Sequence, residues 1–367
     1  MSDWEKLKRN PYAAWTAFIL LAALLALLPF LADFFLGRSW VRILDFVLLY
    51  IMLALGLNIV VGFAGLLDLG YVAFFAVGAY LYALLASPHF GIHLPFWALL
   101  PLGAGVSCIF GVLIGAPTLR LRGDYLAIVT LGFGEIIRIF LNNLDAPVNI
   151  TNGPQGVNNI DPVSFGTFSL YQAHRFIGIN FSSVYNYFYL FLALTILVIF
   201  ISMRLQDSRI GRAWAAVRED EMAAKAMGIN TRNIKLLAFA MGASFGGVSG
   251  GLFAAFQGFI SPESFTLIES IMILCMVVLG GMGNIAGVIL GVVLLVVLPE
   301  ALRYIGPAEQ ALLGRIFVDP ADLRMLIFGL ALILVMLFRP AGLLPSTIRK
   351  REFETEDEAE AQNGARP

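Results

Sequence analysis

An all-α, polytopic membrane protein of about ten transmembrane helices is the fold class this sequence predicts, and three observations predict it. The first is composition: 59% of the 367 residues are hydrophobic and only 13% are charged. A soluble domain carries about 25% charged residues, so lipid is the main solvent of this chain. The second is span length. Apolar runs occupy Thr16–Ala32 and roughly 43–61, 69–87, 95–117, 124–144, 185–204, 236–257, 267–281, 284–302 and 323–339; most come near the ~20 residues a bilayer requires. The third is that Lys and Arg collect at alternate connections, as they do when cytoplasmic loops retain positive charge.

Taken in order, Trp4–Arg9 carries Lys6, Lys8 and Arg9 ahead of the first apolar run. No small-x-small cleavage site follows it, so it reads as a retained first span rather than a signal peptide. The basic connections are then Arg120 with Arg122, the whole 204–235 segment, and Arg339 with Arg349–Arg351. The opposite loops are poor in basic residues: 87–94 has none, and 145–185 has only Arg175. This pattern places both termini inside. It gives one membrane domain over 1–345, with an outer loop at 145–185, an inner loop at 204–235 and a disordered acidic tail at 346–367. The outer loop is rich in Asn, Gly and Pro, and too poor in apolar residues to hold a core of its own.

Net charge is −1 and the charges lie in loops and ends, which argues against nucleic-acid binding. Cys108 and Cys275 sit inside apolar runs and read as small hydrophobes. His89, His93 and His174 have no carboxylate or cysteine at ligand spacing, so no metal site is expected. No GxxxxGK[ST] phosphate loop and no HExxH arrangement occur. If such a bundle performs active transport, its energy arrives through the 204–235 loop.

Small residues recur every fourth position along Ala238, Gly242, Gly246, Gly250 and Ala254, along Gly103, Ser107, Gly111 and Gly115, and along Gly283, Gly287 and Gly291. In lipid, small residues let helix backbones approach closely, so each line is expected to mark a helix–helix contact. Two segments read as broken helices. One runs from Val61 to Gly70 and contains Gly62 and Gly65; the other runs from Gln257 to Phe265 and contains Gly258 and Pro262. Five spans separate them, as expected of two inverted five-helix repeats. A third break, at Gly281 and Gly283, splits 267–302.

Ionisable residues inside spans are costly and mark candidate sites. Glu135 and Arg138 share one helix face with Asn142, which suits either a pathway or a structural pair near the outer end. Asp68 and Glu269 lie near span ends, where solvated side chains are expected. Asn284 is placed to cap a span.

The charged stretch 204–235 reads as a short helix over REDEMAAKAMGI that ends at Gly228. The longer segment GRAWAAVREDEMAAKAMGINTRNIKLLAFAMGASFGGVSGGLFA resembles the coupling region of ABC-importer permeases for branched-chain amino acids. GLNIVVGFAGLLDLGYVAFFAVGAYLYALL, RLRGDYLAIVTLGFGEIIRIFLNN and FRPAGLL look like the same family, in the same order, over most of 40–345. The family's loop has a Glu, two small residues and a downstream Gly. Glu221, Ala223, Ala224 and Gly228 fill those roles, with Met222 intervening, so either Glu221 or Asp220 is the acid that meets an ATPase.

The resemblance implies a ten-helix importer with inverted repeats in a bacterial inner membrane. It implies a second permease chain, two ATPase subunits that hold the ATP and Mg, and a periplasmic binding protein. The coupling residues it implies are Arg218, Glu219, Asp220, Glu221, Ala223, Ala224, Gly228 and Ile229, on one helix over 219–228. Alternatives are a permease for urea, amides or other amino acids and, in a different class, an ion-coupled secondary carrier. No catalytic set for an enzyme is found.

Overall fold

A computed structural model describes residues 11–302, apart from 120, 122, 166, 167, 173, 177 and 178, and then 326, 329, 330, 333, 337–339 and 342–344. Most of the expected span 323–339 and the whole tail 346–367 lie outside the described residues. The helices are α1 (Pro11–Leu36), α2 (Arg38–Asn58), α3 (Val72–Leu85), α4 (Phe96–Thr118), α5 (Asp124–Asn143), α6 (Ser183–Gln206), α7 (Arg209–Glu219), α8 (Glu221–Ala226), α9 (Thr231–Gln257), α10 (Leu267–Gly280) and α11 (Ile285–Leu302). Five described segments are long and apolar enough to cross a membrane: Arg38–Phe63, Phe96–Thr118, Ser183–Gln206, Thr231–Gln257 and Pro262–Gly280.

α9 is the centre of the bundle and packs on α4, α3 and α2. The small residues make this possible. A Cβ on Gly250 would strike the Phe75 carbonyl of α3, and one on Gly242 would lie 2.6 Å from Val60. On the other side of α9, Gly111 of α4 lies against Phe239 and Ala243. Gly287 and Gly291 press on α10 at Gly280. All three lines therefore mark close helix contacts. Gly247 and Gly78, which stand on none of them, also meet backbone to backbone between α9 and α3.

α2 does not simply end. It loosens into one π turn at Ile59–Phe63, a feature that often marks functional sites. The chain then runs non-helically from Ala64 to Gly70, so α3 begins only at Val72 and has 14 residues. Non-helical backbone inside a bundle is tolerated where protein satisfies its polar groups, and several of them are satisfied here. Leu66 N–H donates to the Val60 carbonyl at 3.0 Å, Leu69 N–H donates to Thr130 Oγ1 at 3.1 Å, and Ser270 Oγ donates to the Leu69 carbonyl at 2.7 Å. Asp68, expected to be solvated, is buried instead. Its Oδ1 accepts from Gly70 N–H at 2.9 Å and so stabilises the turn into α3.

The second break is a different structure. β1 (Val157–Asn158), in the 145–185 loop, pairs antiparallel with β2 (Phe259–Ile260), and Pro262–Ser264 forms a single 3-10 turn. Among the described residues of the loop, Val157, Ile160, Val163 and Leu170 are buried in the same core as the helices. The first break touches the 204–235 loop and the second touches the 145–185 loop, at opposite ends of α6.

Asn284 caps α11 as expected. Its Oδ1 accepts from Ala286 N–H at 3.1 Å, and its Nδ2 donates to the Leu344 carbonyl at 2.9 Å. Leu343 and Leu344 in turn donate their N–H groups to the Leu279 and Gly280 carbonyls at the end of α10. Asn284→Ala should therefore lower stability by about 1 kcal/mol, the usual cost of losing an N-cap. A thermal denaturation series in detergent would show it as a lower midpoint, whereas an unchanged midpoint would deny the capping role.

Candidate functional site

The inner loop folds as two helices rather than one over 219–228. Ser208 Oγ caps α7, accepting from Ile210 and Gly211 N–H at 3.2 and 3.1 Å. The chain then turns at Asp220, which leaves helical geometry and becomes the N-cap of α8, accepting from Met222 and Ala223 N–H at 2.7 and 3.1 Å. Asp is among the strongest N-cap formers, and that local preference outweighs continuation of the helix. At the other end, Gly228 takes φ +85. Its N–H donates to the Lys225 carbonyl at 3.0 Å, and Ile229 N–H donates to the Ala224 carbonyl at 3.1 Å. These are the paired bonds of a Schellman cap, so the expected stop at Gly228 is present.

Both candidate acids are engaged within the chain. Asp220 caps α8, and Glu221 Oε2 lies 2.8 Å from Nζ of Lys235, near the start of α9. The outward surface of α8 belongs instead to Met222 and Met227, 65% and 84% exposed, with Ala223, Lys225 and Gly228 exposed beside them. The residue that interrupts the Glu–Ala–Ala spacing is thus the one that faces out. Trp214 of α7 is buried, its Nε1 donating to the Ile234 carbonyl at 2.7 Å. The loop is therefore pinned to the base of α9 at two points. Glu219 is exposed on the last turn of α7, and Arg218 points the other way, its Nη1 donating to the Gly62 carbonyl at 2.6 Å.

Within the bundle, Arg138 and Glu135 pair at 2.6 Å, and Arg138 Nη1 also reaches Glu263 at 3.1 Å, on the 3-10 turn of the second break. The pair expected on α5 is thus a three-membered cluster that joins α5 to the segment before α10. Asn142 has a buried Oδ1 with no partner among the described residues and does not join that cluster. Glu269, expected to be solvated, is half-buried and accepts from Tyr50 Oη at 3.0 Å.

Sequence reading missed Tyr50, Thr130 and Ser270, hydroxyls with no distinctive spacing. It also missed Asn58, whose Oδ1 accepts from Gly283 N–H at 2.9 Å and ties the first break to the third. A polar residue inside the apolar run 43–61 was the signal available for it. Asp45, inside the same run, is fully buried with both carboxylate oxygens unpartnered among the described residues.

The family model described as the permease component of the branched-chain amino acid transport system matches residues 39–336. The chain belongs to this family. It is 45% identical over 331 residues to the high-affinity branched-chain amino acid transport system permease protein LivM of Salmonella typhimurium, covering 86% of this chain and 72% of that one. It is 44% identical, with the same coverage, to LivM of Escherichia coli. A probable branched-chain amino acid transport permease protein LivM of Methanocaldococcus jannaschii is 28% identical over 330 residues, covering 81% of this chain and 90% of that one. No solved structure matches. The relatives are transporter permease subunits, and this chain is, like them, a polytopic membrane permease component.

Proposed function

We propose that this permease moves branched-chain amino acids from periplasm to cytoplasm across a bacterial inner membrane, as one transmembrane subunit of an ATP-binding-cassette importer. Its partners are a second permease chain, two ATPase subunits that hold the ATP and Mg, and a periplasmic binding protein that delivers substrate. The chain has ten spans in two inverted five-helix repeats with both termini inside, which puts α7 and α8 in the cytoplasm and the 145–185 loop where the binding protein docks. The observation that carries this reading is the outward apolar face of α8, Met222 and Met227, on a loop clamped to α9 by Trp214 and Glu221. Methionine-rich surfaces suit docking into a groove. A clamped helix transmits a push to the bundle where a flexible loop would absorb it.

The mechanism follows. Closure of the ATPases moves α8, the movement passes to α9 at the bundle centre, and the packed helices shift as rigid bodies from inward-open to outward-open. The test is a complex of all the subunits in proteoliposomes. Leucine-loaded binding protein should stimulate ATP hydrolysis and leucine uptake, and urea should do neither. Uptake that persists without ATP or without the ATPase subunits would point to an ion-coupled carrier and end this reading.

A further inference from the structure

Arg218 sits where the inner loop meets the broken end of α2. Its Nη1 donates to the carbonyl of Gly62, in the π turn, at 2.6 Å. Its side-chain stem lies over Gly65, where a Cβ would come 2.7 Å from Arg218 Cγ. Gly65 takes φ +70, a conformation that favours glycine, so the close approach and the backbone turn demand the same residue. Sequence reasoning grouped Arg218 with residues that face an ATPase; its guanidinium is instead aimed into the bundle.

What lies beyond Gly65 gives this contact a consequence. The non-helical stretch Ala64–Gly70 is anchored at its far end to two helices. Leu69 N–H donates to Thr130 Oγ1 of α5 at 3.1 Å, and the Leu69 carbonyl accepts from Ser270 Oγ of α10 at 2.7 Å. Gly70 lies directly on the α5 backbone at Thr130. These two helices carry Glu135, Arg138 and Glu269. At the near end, α7 and α8 are pinned by Trp214 and by Glu221–Lys235. Arg218 borders a cavity of about 260 Å³ with Gly62, Phe63 and Gly283. It also borders one of about 320 Å³ with Leu66, Leu67 and Asp124.

We propose that Arg218 is a transmission residue: it couples displacement of α7–α8 to the Ala64–Gly70 stretch, and through Thr130 and Ser270 to α5 and α10. The proposal rests on the importer reading above. It assigns no contact between Arg218 and an ATPase, and so separates docking of the partner from delivery of its movement to the pathway.

The experiment measures amino acid moved per ATP hydrolysed in proteoliposomes that hold the full complex. Arg218→Ala should still co-purify with the ATPase subunits and still hydrolyse ATP, while the transport ratio falls by about tenfold or more, the scale of a typical coupling energy. Arg218→Lys, which keeps the charge but loses the fork of donors, should fall between. A wild-type ratio for Arg218→Ala overturns the proposal. So does weakened ATPase co-purification with an unchanged ratio in the complex that still forms, which would make Arg218 a docking residue. If Arg218→Ala does not accumulate, Arg218→Lys decides: a lowered ratio supports transmission and a wild-type ratio refutes it. Failure of the importer reading itself would show separately, as a wild-type complex whose hydrolysis ignores loaded binding protein.

Discussion

Gly78→Val should strip the protein from the membrane fraction. A Cβ at Gly78 would fall inside van der Waals contact of the Gly247 backbone, so neither partner can rotate away as a side chain could. Overpacking a well-filled core costs about 1–3 kcal/mol, and a backbone-to-backbone clash at the bundle centre belongs at or above the top of that range. α9 touches α3, α4 and α2, so a shift at Gly247 is felt by all four helices. Gly132→Ala is the control, because nothing stands within 4 Å of its added Cβ. Immunoblots of membranes and detergent thermal melts should separate the two variants. Equal accumulation would mean that α3 and α9 do not meet in this way.

Glu221→Arg and Gly228→Asp should abolish uptake while the protein remains in the membrane. Glu221→Arg replaces the 2.8 Å pair with Lys235 by two like charges and frees α8 from α9. Gly228→Asp forces an L-residue into φ +85, at a cost on the order of 1 kcal/mol. It also adds a negative charge at a helix C-terminus, where the dipole disfavours it. Both changes are confined to the loop and leave the α9 seam intact. Uptake at the wild-type level by both variants would remove the loop from the mechanism, whereas loss of membrane protein would show the loop to be structural.

The long apolar helices were legible because lipid sorts residues by polarity over windows of about 20 residues, and such a sum survives errors at single positions. α6 at Ser183–Gln206 and α9 at Thr231–Gln257 lie within a few residues of the runs at 185–204 and 236–257. The small-residue lines were legible for a similar reason, since spacing of four lies along one helix face. The stop at Gly228 and the cap at Asn284 were legible because capping is local.

The roles of the acids were not. Asp68 read as a solvated residue near a span end, and Asp220 as an acid inside one helix over 219–228. One is buried and turns the chain into α3; the other is exposed and starts α8. Glu269 lies beside Tyr50 only because α10 packs against α2. Glu263 joins Arg138 only because the second break folds back over α5.

By itself, then, the sequence determined the apolar composition, where the long apolar helices lie, the helix faces that could pack closely and the charged segment between α6 and α9. Each of these is set by local composition or by periodicity along one helix. Only the tertiary structure decided that the first break is a non-helical stretch bonded to α5 and α10. It alone turned Glu221 toward Lys235 and Met222 outward, and joined Arg218 to Gly62. Those outcomes depend on hydrogen bonds and ion pairs between residues far apart in the chain, and no periodicity within a single segment encodes them.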